Sequence, residues 1–268
     1  MAQSAAAKGE RFLEGQHAVV TGGSKGIGAA IARSFAERGA KVTIMSRSLE
    51  TLESTANALR TDTGAAVTVI ECDVTDAASV RRAFALAVES KGPVQVLVNN
   101  AGAAESVPFA KMNRGTWDRM IAVNLTSTYA CSAEVLPAML SAKAGRIVNV
   151  ASTAGLRGYK TMTAYCAAKH GVVGLTRALA LETAKHGITV NAVCPGYTDT
   201  DLVDSAVANL ASVFKTSEGD ARAMLIRTIP RGSLTTPEEV ANAVAWLCSP
   251  DAGAVTGIAL PIAGGEVL

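Results

Sequence analysis

Tyr165 and Lys169 stand four positions apart in a segment of otherwise small residues. On an α-helix, residues at this spacing lie on the same face, one turn from each other. A free tyrosine titrates near pH ~10 and a free lysine near pH ~10.4, and a neighbouring cation favours the phenolate. We therefore expect Lys169 to lower the pKa of Tyr165, making the phenol a proton donor and acceptor for alcohol–ketone chemistry. An isolated pair at this spacing is more often two unrelated helix residues, so other signals are needed.

A nucleotide-binding pattern near the start of the chain supplies one such signal. Residues 17–20 predict a short buried strand that runs directly into Gly22, Gly26 and Gly28, and a helix is predicted from Ala29 to about Arg38. Such a turn binds pyrophosphate, because glycines let the backbone approach and the unpaired N–H groups of the helix face the anion. The spacing G-x-x-x-G-x-G differs from the common dinucleotide fingerprint, and a plain tight turn would also use glycines.

The end of the second predicted strand, residues 41–45, indicates which nucleotide is bound. An NAD-binding site places an acid near this point for the ribose 2′-hydroxyl. Here Ser46 and Arg47 follow the strand instead, and Lys25 lies inside the glycine turn. Two cations suit a 2′-phosphate, which arginine can bind bidentately. We predict NADP(H) over NAD(H); the alternative is two solvated surface charges.

Two further strand ends carry residues suited to the rest of a nucleotide. Asp73 and Val74 follow a strand at residues 66–71 and could hold adenine, although Asp73 could equally belong to the turn that Asp76 caps. Asn100 and its neighbours follow a strand at residues 94–98. Amides and small residues there let a nucleotide approach, but asparagine also caps ordinary turns.

The remaining elements place the other chemical groups. A helix is predicted from Thr116 to about Leu140, bent around Pro137 and carrying Asn124, whose mid-helix position suggests a function. Three strands are predicted at residues 145–150, 188–193 and 256–260, and a long helix from about Tyr159 to Lys185. Helices of irregular, polar character follow at residues 201–230, as in a mobile substrate lid.

Composition agrees with one α/β domain. The chain has 268 residues, of which 49% are hydrophobic and 4% aromatic, as suits a parallel sheet covered on both faces. Alternating strands and helices predict a single Rossmann-type, doubly wound, parallel seven-stranded sheet over residues 13–268, after a flexible lead-in at residues 1–12. The net charge of +2 argues against a nucleic-acid surface. Five separated cysteines indicate reduced thiols in a cytoplasmic protein, and no metal site or membrane span is predicted.

Taken together, the glycine turn, Asn-Asn-Ala-Gly at residues 99–102, Asn124, Ser152, the Tyr165/Lys169 pair and Pro195-Gly196 resemble the tyrosine-dependent branch of the short-chain dehydrogenase/reductase family. The resemblance runs from about residue 13 to the end and is strongest to 3-oxoacyl-(acyl-carrier-protein) reductase-type ketoreductases. It implies a homodimer or homotetramer assembled through the helices that carry Asn124 and Tyr165.

The resemblance also implies a role for individual residues. Tyr165 would be the general acid of reduction, Ser152 would orient the substrate oxygen, and Asn124 would hold a water that links Lys169 to solvent. Lys169 would lower the pKa of Tyr165 and bind the nicotinamide ribose. The cofactor-binding set would be Gly22, Ser24, Lys25, Gly26, Ile27, Gly28, Ser46, Arg47, Asp73, Val74, Asn100, Ala101, Gly102, Tyr165, Lys169, Pro195, Gly196, Thr198 and Thr200.

The implied activity is NADPH-dependent reduction of a ketone, such as a 3-oxoacyl thioester carried by coenzyme A or an acyl-carrier protein. Two alternatives stay open: a dehydrogenase that oxidises a hydroxyacyl-CoA, cyclic alcohol, sugar or steroid, and a non-catalytic NADP(H) sensor. In the predicted lid at residues 197–231, Lys215, Arg222 and Arg227 could meet a substrate phosphate or could be solvated charges.

Overall fold

A computed structural model describes residues 11–267. Its centre is a seven-stranded sheet in the order β3-β2-β1-β4-β5-β6-β7, and every neighbouring pair is parallel. The predicted doubly wound sheet is confirmed. The strands are β1 (His17–Thr21), β2 (Lys41–Ser46), β3 (Val67–Glu71), β4 (Val96–Asn99), β5 (Gly145–Val150), β6 (Ile188–Pro195) and β7 (Ala259–Ile262).

Nine α-helices connect and cover the strands within the part of the chain that the structure describes. They are α1 (Gly26–Glu37), α2 (Leu49–Thr63), α3 (Ala77–Lys91), α4 (Arg114–Ile121), α5 (Ser127–Ala142), α6 (Thr163–Thr183), α7 (Asp201–Phe214), α8 (Glu218–Ile226) and α9 (Pro237–Cys248). Helix α9 begins with a reciprocal capping box formed by Thr236 and Glu239.

Successive strand residues point to opposite faces of the sheet, which gives two apolar cores. In β1, Val20 packs into a core with Ile31 of α1 and Val244 of α9, whereas Val19 packs into a core with Phe84 of α3 on the other face. Because both faces are covered, the strands are mostly apolar, and the polar residues at their carboxyl ends are those placed to meet a ligand.

Three predicted boundaries are wrong. Helix α1 begins at Gly26 and not at Ala29, because the glycine turn itself enters the helix. Helix α6 begins at Thr163 and not near Tyr159, since Thr161 has a φ of 64° that a right-handed helix cannot include. Strand β7 begins at Ala259, after Gly257 turns the chain with a φ of 78°.

The long helix predicted to bend at Pro137 is instead interrupted at Asn124. A π-helical turn at Ala122–Thr126 separates α4 from α5, and Pro137 lies inside an unbroken α5. A π-turn adds one residue to a turn and shifts the direction of the side chains that follow, and such turns occur often at functional sites. The interruption therefore falls on a residue that the sequence already marked.

No helix among residues 11–267 is long and apolar enough to cross a membrane. The same residues hold no group of three or more His, Cys, Asp or Glu side chains placed to bind a metal ion. Most of the predicted lead-in at residues 1–12 lies outside the described residues; within it, Phe12 packs against the core and Arg11 pairs with Glu14.

Candidate active site

The predicted catalytic residues converge at the carboxyl end of β5. Ser152 follows this strand by two residues, and α6 carries Tyr165 and Lys169 back across the strand's end. Ser152 lies close enough to the phenol of Tyr165 to favour its phenolate form. Gly102 lies close to both Asn124 and Lys169. A Cβ atom at Gly102 would be 2.8 Å from Asn124 Oδ1 and 3.6 Å from Lys169 Nζ. The fold thus brings all four residues together.

Lys169 is held by the sheet and not by the phenol. Its side chain is buried, with 5% of the residue exposed, and Nζ donates a hydrogen bond to the Val150 carbonyl over 2.8 Å. Nζ also lies over the ring of Tyr165, 5.7 Å from its centroid. Burial lowers the pKa of Lys169 to about 8, because the charged form has lost its water.

The expected depression of the Tyr165 pKa is not found. Burial raises the pKa of Tyr165 to about 12, and the nearby Ser152 side chain only partly offsets this effect. Loss of hydration disfavours the phenolate, while Lys169 Nζ lies 5.7 Å from the ring centroid and donates its hydrogen bond to Val150 and not to the phenol. A phenol of this kind stays protonated at neutral pH and is a proton donor there.

Asn124 is buried beside the site and binds the loop after β4. It is 1% exposed, and its amide Nδ2 donates to the carbonyls of Ala103 over 2.9 Å and Met120 over 3.0 Å. Its Oδ1 accepts from the Ala103 N–H over 3.2 Å. The side chain therefore pins the loop after β4 against the π-turn, and its amide donors are already used within the protein.

The glycine turn lies against the loop after β4. A Cβ atom at Gly28 would fall 2.2 Å from the Gly22 carbonyl oxygen, so the turn admits no side chain there. The side-chain amide of Asn100 donates to the carbonyls of Thr21 and Gly22, each over 3.0 Å. The backbone N–H groups of Asn100 and Ala101 donate to Thr21 Oγ1. These contacts fix the two loops that a dinucleotide would lie between.

The two predicted phosphate ligands differ in their surroundings. Arg47 is exposed and takes part in none of the ion pairs found among residues 11–267. Lys25, at the start of α1, pairs with Asp201 at the start of α7, 2.7 Å away. Nearby, the Ser24 carbonyl accepts from Thr55, Ile27 packs into the core and Ser46 Oγ donates to the Ser48 carbonyl.

Asp73 serves the turn that leads into α3. Its Oδ1 accepts hydrogen bonds from the backbone and hydroxyl of Thr75, which lower the pKa of the Asp73 carboxyl. Asp76 is the N-cap of α3, as the simpler interpretation of this segment expected. Val74 packs against the core. The turn leaves the second oxygen of Asp73 outside these bonds.

The segment after β6 reaches back to the glycine turn. Pro195 ends β6, and Thr198 is buried with its hydroxyl donating to the Gly196 carbonyl. Thr200 is the residue before α7, and its hydroxyl donates to the Thr198 carbonyl. A Cβ atom at Gly26 would lie 3.2 Å from Thr200 Cγ2. In the predicted lid, Arg222 pairs with Asp199 and Asp204. Lys215 and Arg227 are exposed.

One group of side chains beside Ser152 was not predicted from the sequence. Glu266, which follows β7, accepts from Arg157 and Tyr159, and the Tyr159 hydroxyl lies 2.7 Å from Thr153 Oγ1. The available signal was a lone acidic residue after two glycines near the end of the chain. Only the folded chain shows that Glu266 lies against the loop that follows Ser152.

These features fit a dinucleotide. The glycine turn has no space for side chains, and the cap residue of α1 makes no side-chain hydrogen bond to the free N–H groups of the first turn. Those groups and the helix dipole suit a pyrophosphate. The exposed guanidinium of Arg47 stands at the end of β2, where the adenosine ribose of a nucleotide lies in such sheets.

Comparison with known proteins gives a consistent result. A family model described as short chain dehydrogenase matches residues 16–211. A putative ketoacyl reductase of the granaticin polyketide synthase of Streptomyces violaceoruber is 43% identical over 250 residues, covering 92% of each chain. A 3-oxoacyl-(acyl-carrier-protein) reductase of Vibrio harveyi is 38% identical, with 94% of this chain and 98% of that protein covered.

Two further matches differ in what their names describe. Cis-4-hydroxycyclohexanecarboxylate dehydrogenase of Sinomonas cyclohexanicum is 43% identical over 258 residues, covering 96% of this chain and 98% of that protein. The crystal structure of a variant actinorhodin polyketide ketoreductase with NADPH superposes with a TM-score of 0.91 at 40% identity, covering 94% of this chain and 97% of that one.

Proposed function

Since the chain belongs to the short-chain dehydrogenase family, we propose that it reduces a ketone to a secondary alcohol with NADPH. The observation that carries the proposal is the phenol of Tyr165, which lies near Ser152 with Lys169 Nζ 5.7 Å from its ring centroid and has a pKa raised to about 12. A phenol that stays protonated at neutral pH suits a general acid better than a general base. The protonated phenol is the form that ketone reduction uses.

The chain's own residues supply position and a proton. When bound, NADPH provides the hydride that reaches the carbonyl carbon. Ser152 donates a hydrogen bond that orients the ketone oxygen, and Tyr165 gives its proton to that oxygen. Lys169, held at Val150, binds the ribose hydroxyls and keeps the phenol in place. Asn124 fixes the loop after β4, and a water at its π-turn connects Lys169 to solvent.

NADPH is preferred over NADH because the end of β2 carries a cation in place of an acid. Arg47 binds the 2′-phosphate bidentately, and no carboxylate from residues 46–48 opposes it. Lys25 provides a second positive charge for the 2′-phosphate when its ion pair with Asp201 opens. Gly22, Gly26 and Gly28 line the pyrophosphate, and the remaining predicted cofactor ligands surround the adenine, ribose and nicotinamide.

The substrate is a 3-oxoacyl thioester or a similar small ketone, as the names of the ketoacyl reductase relatives describe for those proteins. Helices α7 and α8 within residues 197–231 form a lid over it. Leu202, Val213 and Phe214 of α7 are exposed and would contact an acyl chain. Since Arg222 is already neutralised by two aspartates, Lys215 and Arg227 are the better candidates for a carrier phosphate.

A second candidate is oxidation of a cyclic alcohol. It is favoured by the similarity to a protein named for 4-hydroxycyclohexanecarboxylate oxidation. Oxidation needs the Tyr165 phenolate, whose formation burial disfavours. This candidate therefore predicts a rate that is small near neutral pH and rises as the pH is increased.

The protein is a cytoplasmic homodimer or homotetramer. Two exposed apolar side chains on the long helices support the assembly: Tyr129 of α5 is 62% exposed and Leu181 of α6 is 83% exposed. All five cysteines are buried and free, in line with a reducing compartment. Sedimentation of Tyr129→Glu and Leu181→Glu variants tests the interface, since a charge at a buried contact disfavours association.

A panel of ketones assayed by NADPH consumption tests the activity. It should include 3-oxoacyl thioesters and cyclic ketones, each offered with NADPH and with NADH. We expect turnover of at least one ketone class with NADPH. Binding of NADPH without turnover of any ketone or any alcohol would favour a sensor instead.

A further inference from the structure

A buried carboxylate at the end of the described chain has no part in the reaction so far. The Glu266 side chain is 1% exposed. Its Oε1 lies 2.9 Å from Arg157 Nη2 and 2.5 Å from the hydroxyl of Tyr159. A buried charge must be paired and hydrogen-bonded to be tolerated, so these contacts hold Arg157 and Tyr159 in place.

Both partners belong to the loop that joins Ser152 to α6. The Tyr159 hydroxyl lies 2.7 Å from Oγ1 of Thr153, the residue next to Ser152, and the Arg157 N–H donates to the Thr153 carbonyl. The Arg157 guanidinium stacks over the Tyr159 ring at 4.6 Å. The carboxylate therefore fixes the loop at its beginning and in its middle, and the loop leads into the helix that carries Tyr165.

The second carboxylate oxygen lies under the turn after β6. Glu266 Oε2 is buried and accepts no hydrogen bond from residues 11–267. A Cβ atom at Gly196 would stand 2.6 Å from this oxygen, so only glycine permits the carboxylate to lie there. Glu266 is thus packed between the segment that follows β5 and the segment that follows β6.

We propose that Glu266 is a positioning residue for ketone reduction: its carboxylate, through Tyr159 and Thr153, sets the place of Ser152 relative to Tyr165. The proposal rests on the proposed reductase activity. Loss of the carboxylate charge releases Tyr159 and leaves Arg157 unpaired, so Ser152 orients the ketone less well. The glycine turn is formed by other strands, and NADPH binding does not depend on Glu266.

Three variants test the proposal: Glu266→Gln, Tyr159→Phe and the double variant. Steady-state kinetics are measured with the ketone varied, together with the NADPH dissociation constant. We expect kcat/KM to fall on the order of 10-fold or more in each single variant. In the double variant, the fold-decrease in kcat/KM should be smaller than the product of the two single-variant decreases, because both changes break the same hydrogen-bonded unit. The NADPH dissociation constant should stay within about twofold of that of the wild type.

Glu53→Gln is the matched control, since Glu53 pairs with Arg60 on the distant helix α2. If Glu266→Gln fails to fold, the kinetics of Tyr159→Phe decide whether the positioning role holds. Tyr159→Phe removes only one hydroxyl and keeps the aromatic ring. Unchanged ketone kinetics in a folded variant that only melts earlier would overturn the inference. A wild-type protein that consumes no NADPH with any ketone would overturn the proposed function as well.

Discussion

Lys169 Nζ donates to the main-chain carbonyl of Val150 over 2.8 Å, and this bond joins α6 to the last residue of β5. Ser152 follows the end of the same strand by two residues. One buried ammonium therefore registers the helix that bears the phenol against the strand that leads to the serine. In this structure the ammonium of Lys169 positions α6 against β5. Its positive charge is expected to bind the ligand of the site.

Burial of Lys169 makes stability depend on pH. Its pKa is about 8 in the folded protein against 10.5 for the free side chain, so the unfolded chain binds more protons between these values. The free energy of unfolding should then rise with pH across this window, by roughly 3 kcal/mol at most. Urea unfolding of wild type and Lys169→Met at neutral pH and near pH ~10 measures the effect. A wild-type-to-variant difference that stays constant with pH would contradict it.

The two directions of the reaction should respond to pH in opposite ways. Reduction uses the protonated phenol and the Lys169 ammonium, so kcat/KM should be level near neutral pH and fall as the pH passes about 8. Oxidation uses the phenolate of Tyr165, whose pKa is about 12, beside the same ammonium, so its rate should climb with pH up to about 8 and level off above it, where loss of the ammonium offsets the gain in phenolate. Initial rates across this range check both limbs. A reductive rate that increases with pH would refute the assignment.

Arg47→Asp should change the preferred cofactor. The variant removes a charge-assisted contact to the 2′-phosphate and supplies an acid for the 2′-hydroxyl of NADH. We expect the ratio of kcat/KM for NADPH to that for NADH to fall roughly 10- to 100-fold. Arg114→Asp is the charge-matched control, since Arg114 is exposed on α4 and pairs with Asp118. Equal ratios in the two variants would show that Arg47 does not contact the phosphate.

Asn124→Ala should cost stability and activity together. The change removes the three side-chain hydrogen bonds to the backbone of Ala103 and Met120 and leaves buried backbone groups unpaired. We expect a loss of about 1–3 kcal/mol in the free energy of unfolding and a lower kcat from a looser loop after β4. Denaturant unfolding and ketone kinetics measure the two effects. A fully active variant of unchanged stability would exclude both roles.

The alternation of strands and helices along the chain, and the doubly wound parallel sheet that they form, could be predicted from the sequence. Apolar strands that alternate with helices leave few topologies open. It also marked Tyr165, Lys169 and Ser152, since the end of a parallel strand and one helix face determine where these side chains meet. Thr161, whose positive φ delays α6, illustrates what local pattern does not contain: a boundary set by backbone conformation and not by residue type.

Two features of the site depend on the folded environment and could not be predicted. The direction of the Tyr165 pKa shift follows from burial, and spacing along a helix says nothing about how much water surrounds a phenol. Glu266 lies more than one hundred residues from Arg157 and Tyr159. Their contact exists because β7 is added beside β6, at the edge of the sheet.

Replacing Tyr165 by phenylalanine tests the central claim most directly. The Tyr165→Phe variant keeps the ring and loses only the proton donor, so NADPH should bind with an unchanged dissociation constant while kcat for ketone reduction falls by about 10²- to 10⁴-fold. The measurement is NADPH consumption with a ketone that the wild type reduces, alongside NADPH titration of both proteins. A Tyr165→Phe variant that binds NADPH and still reduces the ketone at the wild-type rate would contradict the account.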